Sequence, residues 1–427
     1  MNKRKLLYYF SLGLLITSLL PIIGNNIPIL ASYRFLWAPA FILYILLFER
    51  YILLRKQVII VLLYGFIYVW PIPSILWPYA SEWYKEAIFE DFYGMLVPVL
   101  LFTVFYNNKY WDTWIKLSKL SIIFIIITGV MTIIATSIEP LIVRYSYSFG
   151  KFEISNFDSI FRLGFGSYGY MTAIVSVFPV IIYFLKKGNE QWLNKWMLIS
   201  LMIFLFIVLL TAQIFANILV AFITILFSFL GASKFKKSFF YILIVFIIFF
   251  FTPKTFYIKS LKGIGQNFEH NSELYLKFND MANYIENPVL DEDDFSTETS
   301  GRASRYPSLF KVFLASPLLG DANHKSPFEY ELTTGGHLYW MSRLALWGIF
   351  GFMGYIIILI NVFKPVIRMV NEELRFYYYI SVAAIFALGL FKNLTGREIY
   401  IIPLFVLPGL FLIIQNKMNN DSIVFNI

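Results

Sequence analysis

Arg302 and Arg305 stand three residues apart, and His337 follows a Gly335-Gly336 pair where a long polar stretch gives way to an apolar run. On a helix that arginine spacing places both guanidinium groups on one face. Their planar donor forks match pairs of phosphate oxygens. A neutral imidazole near pH 7 can accept a proton from a hydroxyl. These residue types suit a reaction in which a hydroxyl attacks and a phosphate-bearing group leaves. Arg162, on a second polar stretch, offers a further guanidinium for the same anion. The arginines equally suit pairing with loop acids or lipid headgroups, and a lone histidine beside an apolar run equally suits an interfacial anchor. Tyr339 and Arg343, four apart, share a helix face; His337 and Arg343 do not.

The carboxylates divide into two groups. Glu90 and Asp91 sit at the mouth of an apolar run, where an acid is costly and serves either function or a snorkelling contact with the interface. The run Asp291-Glu292-Asp293-Asp294 reads as a solvated turn, with a divalent-cation site as the alternative, although its spacing matches no calcium loop. The chain has no cysteine, which excludes disulfides, thiol catalysis and cysteine-ligated metal. Its three histidines (His270, His324 and His337) are too scattered to suggest a metal cage. No metal or other cofactor is expected.

These groups must be positioned by apolar helices. Hydrophobic residues make up 59% of the 427, charged residues only 14%, and the mean hydropathy is +0.69. Soluble domains carry about 25% charged residues, so this is not an ordinary soluble protein. The aromatic share of 20% fits interfacial belts. Apolar runs of about 20 residues span a bilayer. About twelve such runs occur, at roughly 6–26, 35–49, 57–77, 89–106, 119–138, 167–185, 196–212, 214–230, 238–252, 338–362, 376–391 and 398–415. The expected fold is therefore all-α: a polytopic membrane helix bundle with a partly helical large outer loop. The basic start Met1-Asn2-Lys3-Arg4-Lys5 leads into a first helix that is expected to be retained.

The formal net charge of +9 follows this membrane pattern and does not point to nucleic acid. When the segments alternate, one side carries 19 lysines and arginines, in triplets such as Lys3-Arg4-Lys5, Lys234/Lys236/Lys237 and Lys364/Arg368/Arg375, plus Lys417. The short loops of the other side carry 7, among them Arg34, Arg144, Arg162, Lys392 and Arg397. Positive charge stays inside, so both termini are expected in the cytoplasm and the long loop outside. The chain then divides into 1–252 (nine helices, with an outer loop at 139–166), 253–337 (the large extracytoplasmic loop) and 338–427 (three helices and a short tail). Within the large loop, Leu274, Leu276, Phe278 and Met281 predict an amphipathic helix near 272–285. A second helical stretch, about 303–315, is ended by Pro317 and Gly320.

One spaced pattern resembles a family. An arginine followed by an aromatic at +4, a proline at +15 and a glycine at +18 falls on Arg302, Tyr306, Pro317 and Gly320. A histidine opening the next helix, with a nearby aromatic and glycines at +11 and +14, falls on His337, Tyr339, Gly348 and Gly351. With the Arg162-Leu163-Gly164-Phe165-Gly166 entry to the sixth helix, this is similar to the bacterial O-antigen ligase and O-antigen/capsule polymerase superfamily. The chain departs from it at Leu338 and Ala322, and only Gln213 and Asn217 stand where an outer-hairpin arginine is common. The resemblance implies about twelve spans in the bacterial inner membrane and glycan transfer from an undecaprenyl-diphosphate carrier at the outer face. It implies a growing glycan as acceptor and a chain-length regulator as partner. In that reaction Arg302, Arg305 and Arg162 would hold the diphosphate and His337 would activate the acceptor. Tyr339, Glu90 and Asp91 would help position substrate. A ligase moving finished glycan onto lipid A core is the rival in the same class. A lipid-oligosaccharide flippase would need polar residues spread through the spans, whereas here they lie mostly outside.

Overall fold

The first helix, Lys3–Leu19, stops because Pro21 disfavours helical backbone in the residue before it. Leu20 accordingly lies at φ −131°, ψ 73°, and a new helix, Pro21–Asn26, starts with proline in its first turn, where the missing N–H costs nothing. The run expected as one span over 6–26 is thus two helices. The computed structural model describes residues 3–27, 32–65, 82–145, 157–187, 193–231, 252–268, 270, 273–286, 306, 309–320, 338–394 and 396–413. Every regular element among them is helical.

Three helices are long and apolar enough to cross a membrane: Trp111–Ile138, Tyr168–Lys187 and Tyr339–Met369. Five shorter apolar helices accompany them: Phe35–Phe48, Phe92–Asn107, Lys195–Thr211, Phe215–Leu230 and Glu398–Ile413. These stand where eight of the expected runs were placed, with Tyr168–Lys187 interrupted by a turn at Ser176. The run expected at 376–391 is the helix Glu372–Leu388. The run expected at 238–252 lies outside the described residues apart from Thr252, as does most of 57–77 beyond the helix Lys56–Tyr64. Gln213, at φ 53°, makes the turn between Lys195–Thr211 and Phe215–Leu230, so two short helices replace one long one.

Two compact units emerge: residues 1–229 with 354–388 and 394–427, and residues 230–353 with 389–393. In the larger unit, several buried hydroxyls are satisfied by their own helices. Ser11 donates to Leu7 O (2.8 Å), Thr103 to Val99 O (2.6 Å), Thr132 to Thr128 O (2.7 Å) and Ser228 to Thr224 O (2.7 Å). A polar group in an apolar surround must be paired, and the carbonyl four residues back is always within reach. These residues are spent on backbone.

The last apolar helix contains a π-turn, Ile402–Val406, around Pro403. Proline removes a helical N–H donor, and two side chains donate to carbonyls of the turn. Trp114 Nε1 donates to Phe405 O at 2.7 Å, and Tyr378 OH to Pro403 O at 3.0 Å. The Trp114 and Phe405 rings also stack, 5.4 Å apart. At the other end of the first helix, fully buried Glu49 pairs with Lys3 Nζ at 2.8 Å and accepts from Asn108 Nδ2 at 3.2 Å.

In the smaller unit, Lys254–Gly265 and Glu273–Glu286 pack on each other, with a Phe268–Phe278 stack at 5.9 Å and a Lys262–Glu286 ion pair at 2.8 Å. The second helix is the one expected near 272–285. The first begins right after Pro253, where no helix is expected from the sequence. A short helix over 309–315 follows, the described part of the stretch expected at 303–315. Its Leu309 and Val312 form a core with Leu338 and Ala345, flanked by Phe313 and Met341.

Candidate functional site

The smaller unit joins the end of the polar loop to the helix that follows it. Helix Tyr339–Met369 breaks at Gly348 (φ 61°, ψ −174°), which frees the next N–H groups from their usual carbonyls. The loop supplies replacements: Ile349 N–H donates to Pro317 O at 2.8 Å and Phe350 N–H to Leu318 O at 3.2 Å. Gly320 (φ 77°) lies against the same kink. A Cβ on Gly348 would stand 2.5 Å from Gly320 N, and one on Gly320 would stand 2.2 Å from Leu346 O. Both positions need glycine, for the left-handed backbone and for the approach.

Residues 389–392 tie down two more members of the spaced pattern. Tyr306 OH donates to Leu390 O at 2.7 Å, and Tyr339 N–H donates to Lys392 O at 3.2 Å. Burial pushes the Tyr306 phenol above its ordinary range. Five of the pattern residues (Tyr306, Pro317, Gly320, Tyr339 and Gly348) therefore meet in one backbone framework. Arg302, Arg305 and His337, the three the chemistry depends on most, lie outside the described residues, as does the acidic run 291–294.

Tyr339 is 1% exposed, and its ring lies under the guanidinium of Arg343, 4.7 Å from the centroid. Trp347 lies on the same guanidinium at 5.2 Å. The shared face expected for Tyr339 and Arg343 is found, with Trp347 a further turn along. Tyr339 is thus packed inward, shaping the start of the helix that follows His337 in sequence.

Arg162 ends the short helix Phe157–Arg162 in the larger unit, with its side chain exposed. Two asparagines hold its backbone: Asn25 Nδ2 donates to Phe161 O at 2.6 Å and Asn26 Nδ2 to Arg162 O at 2.7 Å. Gly164 (φ 69°) then packs on Ile22, where a Cβ would meet the Ile22 nitrogen at 2.0 Å. Gly166 N–H donates to Thr132 Oγ1 at 2.9 Å, and Ser167 caps the next helix by accepting from Tyr170 N–H at 3.1 Å. The arginine-glycine entry is a fixed turn presenting one exposed cation. Glu90 and Asp91 fall about two turns inside the helix Glu82–Asn107, directly before its apolar part.

The sequence reading missed a second polar group in the larger unit. Arg397 Nη2 donates to Thr17 O at 2.8 Å, and its guanidinium lies 4.5 Å from the centroid of the Tyr33 ring. Burial raises the Tyr33 phenol, with Arg397 pulling it back in part. Glu398, the next residue, is 8% exposed. The signal was present as an arginine-glutamate pair opening an apolar run, but Arg397 had been counted only as a loop charge. No protein-family model matches the chain, and no curated protein sequence matches it significantly.

Proposed function

We propose that this chain is a multi-pass glycosyltransferase of the bacterial cytoplasmic membrane that polymerises undecaprenyl-diphosphate-linked oligosaccharide repeat units at the outer face. The products would be O-antigen, capsule or exopolysaccharide. The observation that carries the reading is the spaced pattern from Arg302 to Gly351, five of whose members share the backbone framework around Gly320 and Gly348. The apolar helices and the 19-to-7 charge asymmetry support a polytopic chain with both termini in the cytoplasm.

In this reading a hydroxyl of the acceptor glycan attacks the anomeric carbon of the donor repeat unit. The new glycosidic C–O bond forms as the C–O bond to the carrier diphosphate breaks. His337 takes the hydroxyl proton. Arg302, Arg305 and Arg162 stabilise the charge that develops on the departing undecaprenyl diphosphate, the role in which fixed cations contribute most to rate.

The test is complementation of a strain lacking the chain with His337→Ala and Arg302→Ala, with membrane insertion checked by immunoblot. Both variants are expected to insert normally and to leave only single-repeat products. Normal ladders from either would overturn the site. Full-length glycan stranded on the carrier in the deletion strain would assign the chain to ligation.

A further inference from the structure

Two buried polar groups of the larger unit, Glu398 and Tyr33, and the half-buried Arg397 meet without satisfying one another. The Glu398 carboxylate is 8% exposed and, beyond its own backbone N–H, has no ion-pair or hydrogen-bond partner among the described residues. Arg397 is its neighbour in sequence, yet the two close no salt bridge. Arg397 spends one nitrogen on Thr17 O and its π-face on Tyr33, and its remaining donors have no partner among the described residues. Tyr33 is 3% exposed and its hydroxyl is without a hydrogen-bond partner among the described residues, although Arg397, Tyr93 and Glu398 all lie within electrostatic reach.

A glycine lets the backbone pass close to the carboxylate. Gly396 has φ 129°, and a Cβ there would stand 2.8 Å from Glu398 Oε2 and 3.2 Å from Gly169 Cα. One turn along the helix that holds Gly169, Thr172 Oγ1 accepts from Asn217 Nδ2 at 3.5 Å, while Asn217 Oδ1 is buried without a partner among the described residues. Leaving a carboxylate, a phenol and an amide oxygen unpaired inside a protein is costly. Such a cost is retained where a ligand supplies the missing partners.

The mixture of groups selects the ligand. A phosphate would face the Glu398 carboxylate and be repelled. A bare cation would face Arg397. A neutral polyol both donates and accepts, so its hydroxyls can give protons to Glu398 and take them from Arg397 and Tyr33. We propose that Arg397, Glu398 and Tyr33 form a carbohydrate-binding subsite that holds a sugar ring through its hydroxyls. This rests on the glycan reading above and deepens it by naming residues that grip sugar, apart from those assigned to the diphosphate.

The test uses the full-length protein in lipid nanodiscs, without turnover. Saturation-transfer NMR is recorded with glucose, galactose, rhamnose, N-acetylglucosamine and N-acetylgalactosamine in turn, and pyrophosphate binding is followed separately by phosphorus NMR. At least one sugar is expected to bind. Glu398→Gln should weaken it about tenfold and Tyr33→Phe about threefold, in line with lost hydrogen bonds to a charged and a neutral group. Pyrophosphate binding should stay unchanged in both. Transfer to none of the sugars, transfer equal in wild type and variants, or a loss of pyrophosphate binding in Glu398→Gln overturns the subsite. Should Glu398→Gln fail to fold, Tyr33→Phe, which removes a single oxygen, decides alone. A protein that binds sugar through these residues but makes no polymer keeps the subsite and removes the polymerase reading. Ladders from a protein whose sugar binding ignores both variants do the reverse.

Discussion

Gly320 and Gly348 touch backbone to backbone: a Cβ on Gly348 would lie 2.5 Å from the Gly320 nitrogen, and both residues hold left-handed φ angles of 77° and 61°. The contact closes the polar loop onto the kink of the following helix. The end of a polar loop has no apolar periodicity of its own, so backbone pairing at Ile349 and Phe350 does the fastening.

Gly348→Ala should therefore break both the conformation and the contact. The strained backbone alone costs about 1–3 kcal/mol, and the clash with Gly320 adds to it. Thermal unfolding in detergent should show a clear drop in midpoint, and polymer ladders should be lost with it. Gly354→Ala is the control: a Cβ there meets nothing within 4 Å. In a helix interior it should stabilise by about 0.5–1 kcal/mol. Equal midpoints for the two variants would remove the Gly320–Gly348 contact from the account.

The absence of cysteine makes the orientation directly measurable. Lys259→Cys and Lys116→Cys both replace exposed side chains. A membrane-impermeant maleimide added to intact cells should label position 259 only, and position 116 should label after permeabilisation. The opposite pattern would reverse the assignment made from charge.

Trp114→Phe tests the π-turn. The substitution keeps an aromatic ring to stack on Phe405 but removes the N–H that donates to its carbonyl at 2.7 Å. Ser118 Oγ, 3.4 Å from the same oxygen, is a weaker replacement. The loss is expected to be about 1–2 kcal/mol, read as a lower unfolding midpoint, with Ser118→Ala changing it less. A larger effect from Ser118→Ala would mean that the serine, close to Gly409, acts mainly by packing.

Much of this was legible along the chain. Local periodicity gave the helix Glu273–Glu286, whose apolar positions repeat with the helical turn, and the Tyr339–Arg343 face, since residues four apart must stack. Helix Lys254–Gly265 was missed because three lysines among its residues read as a solvated loop, while Pro253, which starts it, reads equally as a turn. The hydroxyls within the apolar helices carried no assigned role in the sequence. Their carbonyl partners four residues back show them to be internal to each helix.

The sequence by itself determined where the described apolar helices fall, and where guanidinium and imidazole groups stand beside polar stretches. Those properties follow from hydrophobicity and a fixed helical period, and both are local. Only tertiary structure decided that Gly320 meets Gly348, that Tyr306 reaches Leu390, and that Arg397 lies on Tyr33, with Glu398 next to it. Each of these joins residues far apart in sequence. Such contacts are set by how helices pack and by which buried polar atoms find partners, and no repeat in the chain encodes that.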